Sequence, residues 1–271
     1  MKRIKQKFLE LAAKKQCAFV SYICAGDPNY ETSLKVLKSM PKAGVDIIEL
    51  GVPFLDPSGD GPVIQKAAKR AITSGMTLKK VLEMVEEFRK SDEKTPLILM
   101  SYYNPILKYG IDKIFADAAK SGVDGFLIVD LPLEEELEIT SEINKNNLDL
   151  IRLIAPTTSQ DRAKKIAQNS SGFLYLVSLL GVTGVDLAGV EENKNKVEKL
   201  REVSELPIVV GFGIKGAKQA GDFSRIGANG VVVGSTIVAE IDKNFLEGKT
   251  SAEITEATTK KLQEFSIEIK K

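Results

Sequence analysis

The chain has 271 residues, with 38 Lys and Arg against 37 Asp and Glu and a net charge of +1. That balance gives no general field for a polyanion and argues against nucleic acid or an acidic membrane as partner. Histidine is absent and only Cys17 and Cys24 are present, which excludes a Ser-His-Asp triad, a His-held metal, an imidazole proton shuttle and a disulfide scaffold. Acid–base chemistry near neutral pH therefore falls to carboxylates, Lys, Tyr or Cys, and both thiols read as reduced and packed.

The first element in chain order is a helix within 1–15, where Ile4, Phe8, Leu11 and Ala12 recur at helical spacing and predict a short helix packed on the body of the domain. Apolar runs rich in Val, Ile, Leu and Phe follow at 18–23, 45–50, 97–102, 125–130, 148–154, 172–177, 207–212 and 230–235. Most are apolar on both faces, as strands buried in a parallel sheet are. Charged segments of helical period lie between them, at 77–91, 112–122, 134–146 and 161–169. Eight strand–helix units without a flexible linker predict one (β/α)₈ barrel over residues 1–271, with a doubly wound open sheet as the alternative. No stretch reaches the roughly 18 apolar residues of a membrane span, and with no leader pattern the chain reads as cytoplasmic.

Barrels of this kind place their chemistry where strands run out into βα loops. After the second strand comes ELGVPFLDPSGDGP, residues 49–62. Period-2 alternation puts Val45, Ile47 and Glu49 on one face, so Glu49 points up the barrel axis, where apolar walls raise a carboxyl pKa toward neutrality. Asp60 lies in a loop braced by Pro53, Pro57 and Pro62 and folds back over the mouth, giving two carboxylates in unlike surroundings that divide acid and base roles. The alternatives are a Glu49 paired on the outer face and an Asp60 that only makes a turn. Gly59 is expected to loosen the loop that carries Asp60.

Two glycine-bearing stops, GFGIKG at 211–216 and GSTI at 234–237, close the seventh and eighth strands, the second with Ser235 as cap of a helix. Backbone N–H groups and a helix N-terminus at these two strands are expected to form a phosphate site, the alternative being that the glycines and Ser235 only make tight turns and a cap. A small phosphorylated metabolite is the ligand class implied. The long stop SLLGVTGVDLAGVEEN at 178–193 reads as a lid with Gly181, Gly184 and Gly189 as hinges. No strand end carries an inward lysine and no metal-ligand set is visible, so the electron sink for a C–C cleavage belongs to the substrate, or the reaction is an isomerisation.

ELGVPFLDPSGDGP followed by VIQKA, YYNP, DLP, APTT, GVTG, GFGI and GSTIV resembles the α subunit family of tryptophan synthase over essentially the whole chain. The resemblance implies retro-aldol cleavage of indole-3-glycerol phosphate to indole and glyceraldehyde 3-phosphate in L-tryptophan biosynthesis, the indole ring being the electron sink once C3 is protonated. By the same likeness Glu49 is the acid/base that serves C3 and the side-chain hydroxyl, and Asp60 takes or stabilises the indole N–H proton. Tyr22, Ile64, Met100, Val129 and Tyr175 match the indole pocket; Gly184, Gly211, Phe212, Gly213, Gly234 and Ser235 match the phosphate end of the substrate site; and Thr183 matches the lid residue near Asp60. An α₂β₂ complex with a β subunit that holds pyridoxal phosphate is implied, with Asp56, Pro57, Asn104, Asp130 and Pro132 at the interface and no cofactor or metal in this chain. Leu55, Ser58, Gly59 and Leu179 depart from the family pattern, Leu179 preceding the lid where many members carry an arginine. Rival readings are a silent barrel that activates a β subunit, a phosphosugar isomerase, and a free-standing enzyme that releases indole.

Overall fold

The computed structural model describes residues 1–178, 187–211 and 213–271. Eight parallel strands form a closed barrel in sequence order: β1 Ala18–Cys24, β2 Ile47–Gly51, β3 Leu97–Ser101, β4 Gly125–Ile128, β5 Asp149–Ile154, β6 Leu174–Val177, β7 Ile208–Gly211 and β8 Gly230–Val233. The helices among the described residues are α1 Arg3–Ala13, α2 Tyr30–Ser39, α3 Pro62–Thr73, α4 Leu78–Arg89, α5 Tyr103–Tyr109, α6 Ile111–Ser121, α7 Leu137–Lys145, α8 Gln160–Gln168, α9 Leu187–Arg201, α10 Ala217–Ser224, α11 Ser235–Leu246 and α12 Ser251–Ile269. The (β/α)₈ expectation is met; six of the eight predicted runs contain their strand, and β1 and β2 each extend one residue beyond theirs. None of these helices is long and apolar enough to cross a membrane.

Two apolar layers hold the barrel. Val20, Ile47, Ile98, Leu127, Ile151, Val209 and Val232 fill its interior, while Phe19, Ile48, Phe126, Val210 and Val231 face the helices. Helix α1 closes the floor. Its Ile4, Phe8 and Leu11 join the interior cluster, Phe8 meets Phe173 edge-on at 5.9 Å, and Lys2 and Arg3 pair with Asp149 and Asp124 at 2.9 Å each. Ala12, expected on that apolar face, is exposed.

A recurring device starts the strands in pairs. The backbone N–H of Phe19, Leu97, Leu150 and Ile208 on the odd strands donates to the side chain of Asp46, Asp124, Ser171 and Asn229 respectively, at 2.8–2.9 Å. Each of those four residues precedes the next even strand and returns its own N–H to the same odd-strand carbonyl. Side-chain oxygens thus satisfy strand-start donors that would otherwise be orphaned at the rim. The floor of the barrel is built for rigidity, and the opposite rim is left for chemistry.

Candidate active site

Glu49 sits in β2 on the interior face, two residues above Ile47. Val45, expected on that face as well, precedes the strand and packs in the outer shell, because the chain straightens into β2 only at Ile47. Glu49 is 1 % exposed, and its Oε1 is buried with no hydrogen-bond partner among the described residues. Burial pushes its carboxyl up to about 8, since a carboxylate there would lose hydration with nothing to replace it. At pH 7 the group is held protonated, as an acid requires.

Asp60 ends the loop after β2 and is half-buried. Burial raises its carboxyl above the usual range, and a hydrogen bond with the Tyr102 hydroxyl draws it part of the way back. Both carboxylates act electrostatically on the buried Tyr22 and Tyr175 phenols, raising them further. The structure thus brings Glu49 and Asp60 around the same two rings at the barrel mouth.

Tyr102, at the N-cap of α5, is a positioning residue that sequence reasoning missed. Its hydroxyl also accepts the Gly59 N–H at 3.0 Å, so one oxygen holds Asp60 and the loop that carries it. The YYNP stop after β3 was the available signal. A Cβ at Gly59 would stand 3.1 Å from Val129 and 3.3 Å from the Tyr102 hydroxyl, so a side chain there would crowd the tether.

The two aromatic walls also depend on glycines. A Cβ at Gly51 would lie 2.1 Å from the Tyr22 hydroxyl, and one at Gly211 would lie 2.5 Å from that of Tyr175. Each phenol therefore rests on the bare backbone of the neighbouring strand. Met100 and Val129 are half-buried against the interior cluster, and Ile64 is buried on the first turn of α3, directly after the Asp60 loop.

The glycine stops of β7 and β8 are tied together, with the Thr236 hydroxyl donating to the Ile214 carbonyl at 2.7 Å. Gly213 has φ +72, and a Cβ on Gly234 would stand 3.1 Å from that of Tyr22. Ser235 was expected as the cap of α11 but is its first residue. Gly234 takes the cap position with no side-chain bond, leaving the first-turn N–H groups unsatisfied by any cap. Behind this corner Arg70 pairs with Asp27 through two bonds of 2.7 and 3.0 Å and with Asp242 at 2.5 Å, joining the β1 loop, α3 and α11.

Of the expected interface residues, Asp56, Asn104, Asp130 and Pro132 are exposed on the rim. Asp130 also accepts the Tyr103 N–H at 2.7 Å. Pro57 is buried and braces the loop, because the chain turns inward there on its way to Asp60. Thr183, Gly184, Phe212 and the rest of residues 179–186, the larger part of the expected lid at 178–193 up to α9, lie outside the described residues. Gly189, expected as a hinge, lies within α9, so the connection after β6 is shorter than its sequence suggests. Among the described residues no three His, Cys, Asp or Glu side chains gather as metal ligands, and Cys17 and Cys24 are free thiols.

The profile of the family described as tryptophan synthase alpha chain matches residues 8–268. The tryptophan synthase subunit alpha of Legionella pneumophila str. Paris is 37 % identical and superposes with a TM-score of 0.90 over 99 % of this chain and 98 % of that one. A structure from Aquifex aeolicus VF5 is 38 % identical with a TM-score of 0.88 over the full length of both chains. The tryptophan synthase of M. tuberculosis in its aminoacrylate-bound form is 27 % identical with a TM-score of 0.86 over the full length of both chains. Nothing in this set favours a silent or isomerase barrel. The chain belongs to the tryptophan synthase alpha chain family, whose members cleave indole-3-glycerol phosphate.

Proposed function

We propose that Glu49 and Asp60 divide the proton transfers of the reaction that family membership assigns to this chain, the cleavage of indole-3-glycerol phosphate to indole and glyceraldehyde 3-phosphate. The observation that carries this reading is a fully buried Glu49 whose Oε1 has no partner among the described residues and whose carboxyl is pushed by burial up to about 8. Glu49 in its acid form delivers a proton to C3 of the indole ring. Asp60, ionised and held by Tyr102, takes the hydrogen bond of the indole N–H as that nitrogen gains positive charge. The Glu49 carboxylate then accepts the side-chain hydroxyl proton while the C–C bond breaks. Its electrons flow into the indolenine-like cation and the former carbinol becomes the aldehyde. Proton count closes over the cycle, and Glu49 ends as it began.

Tyr22, Ile64, Met100, Val129 and Tyr175 are assigned to the indole, and the backbone of Gly184, Gly211, Phe212, Gly213, Gly234 and Ser235 to the phosphate, whose negative charge suits the uncapped start of α11. Thr183 is assigned to a lid that closes near Asp60. These steps call on no cofactor in this chain; pyridoxal phosphate belongs to a β partner. An α₂β₂ complex is the assembly this reading implies, docked on the rim around Asp56, Asn104, Asp130 and Pro132. Leu55, next to Asp56, and Leu107, three residues after Asn104, are exposed at 65 % and 53 % and add apolar area to this mostly polar rim. A cytoplasmic site of action follows from the same biosynthetic role. The test is indole release by the purified chain, alone and with a β subunit, beside Glu49→Gln and Asp60→Asn. Collapse in both variants supports the assignment; full turnover in Glu49→Gln removes it.

A further inference from the structure

The residue that holds Asp60 also starts a helix. Tyr102 tethers Asp60 and the Gly59 N–H through its hydroxyl, yet its backbone is the N-cap of α5. A cap residue is ordinarily Ser, Thr, Asp or Asn, turned back to accept a first-turn N–H. The Tyr102 side chain makes no such bond, being committed across the mouth to the loop after β2. Pro105 has no N–H to satisfy. Tyr103 does, and its acceptor comes from the exit of the neighbouring strand, Asp130 Oδ1 at 2.7 Å.

Both peptide planes that flank the Tyr102 Cα are pinned. In the plane before it, the Ser101 carbonyl accepts the Val129 N–H at 2.9 Å. In the plane after it both polar ends are taken, the Tyr102 carbonyl accepting the Ser101 hydroxyl at 2.9 Å and the Tyr103 N–H donating to Asp130. Two fixed planes leave the Cα–Cβ bond one direction, here from an extended backbone with φ −88 and ψ 161. The ring then lies against Phe54, centroids 5.5 Å apart, and its hydroxyl reaches Gly59 and Asp60. The barrel does not need the two side chains of this clamp, since the β3–β4 ladder runs to Ser101–Ile128 through backbone pairing alone.

We propose that Ser101 and Asp130 are positioning residues for the cleavage, clamping the 102–103 peptide plane and so aiming the Tyr102 phenol at Asp60. Both act through Tyr102 and neither on the substrate. The proposal rests on the role given to Asp60 above. It assigns the exposed Asp130 carboxylate a task within its own chain, and it accounts for a hydroxyl on Ser101, which is 1 % exposed.

Indole release by the full chain, read as kcat and KM, tests this. Asp130→Ala removes the acceptor and is expected to lower kcat about fivefold, the worth of a helix cap, with KM within about twofold of wild type. Asp130→Asn keeps an oxygen for the Tyr103 N–H and is expected to hold kcat within about twofold of wild type. Ser101→Ala frees the other end of the plane and is expected to act as Asp130→Ala does; Ser101 is buried beyond reach of a β subunit, so its effect should be the same in the complex. In a Tyr102→Phe background both alanine variants should leave kcat unchanged, because the oxygen they aim is gone, while each still lowers stability to urea. A merely structural role would carry the same loss of kcat into that background. Unchanged kcat in either alanine variant shown to be folded by circular dichroism, a fivefold loss in Asp130→Asn, or full additivity with Tyr102→Phe overturns the proposal. Full turnover in Asp60→Asn overturns the reading of Asp60 and this proposal with it; collapse in Asp60→Asn beside unaffected clamp variants overturns this proposal alone.

Discussion

Replacing Glu49 by glutamine should abolish cleavage and, at high pH, make the protein more stable. Glutamine has the shape of the protonated acid and cannot ionise. In the wild type the folded-state carboxyl lies at about 8 against a usual value of 4.5, so between these values the native chain holds a proton that the unfolded chain has released. Stability then falls as pH rises. The contribution is intact below about 4.5, is lost progressively through the window up to 8, and stays lost above it. At 1.36 kcal/mol per pH unit the full loss is about 5 kcal/mol, a ceiling that water entering the site would reduce. Urea unfolding of wild type and Glu49→Gln at pH 5 and pH 9 measures it directly. The variant should be close to wild type at pH 5 and gain several kcal/mol on it at pH 9. An equal difference at the two pH values would refute the claim that Glu49 is buried, uncompensated and protonated.

Three further outcomes follow from the same geometry. The pH profile of kcat/KM should fall on its alkaline side through about 8, tenfold per pH unit, as Glu49 loses the proton it must deliver; a limb set elsewhere and unchanged in slope assigns the acid to another group. Tyr102→Phe removes the oxygen shared by Asp60 and the Gly59 N–H and should cost about 1.5–3 kcal/mol in transition-state stabilisation, read mainly in kcat; combined with Asp60→Asn it should add little, and full additivity would separate the two residues. Arg70→Met strands the 1 %-exposed Asp27 carboxylate and should lower unfolding free energy by about 3–5 kcal/mol, with a neutral result showing that Asp27 is protonated or solvated.

The barrel was legible because each strand is buried on both faces, so its sequence is a continuous apolar run whatever its position in the ring. Glu49 was legible for the related reason that one charge in such a run has few places to go. Asp60, a turn residue by type, gained weight only from the prolines around it. Tyr102 was not legible: its role depends on contact with a loop forty-three residues away along the chain, and an aromatic residue at a strand end carries no local mark of what it touches. The bare backbones of Gly51 and Gly211 were hidden in the same way, since their meaning lies in the phenol of a neighbouring strand. Val45 and Ser235 went astray by the small offsets that strand and helix ends always permit.

The placement of stabilising and destabilising elements along the barrel axis has a physical logic. At the floor, four side chains bind the starts of the paired strands, α1 inserts Phe8 against Phe173, and Lys2 and Arg3 fasten it to buried aspartates. At the mouth, Glu49 Oε1 has no hydrogen-bond partner among the described residues and the start of α11 has no side-chain cap. Each of these groups costs stability until a substrate completes it, Glu49 through its proton and α11 through its free N–H groups. A substitution that supplied the missing partner from the protein, such as a neutral donor reaching Glu49 Oε1, would stabilise the fold by satisfying a buried oxygen and would favour the ionised carboxyl. It would also remove the acid, so stability and turnover should move in opposite directions at this end of the barrel and together at the other.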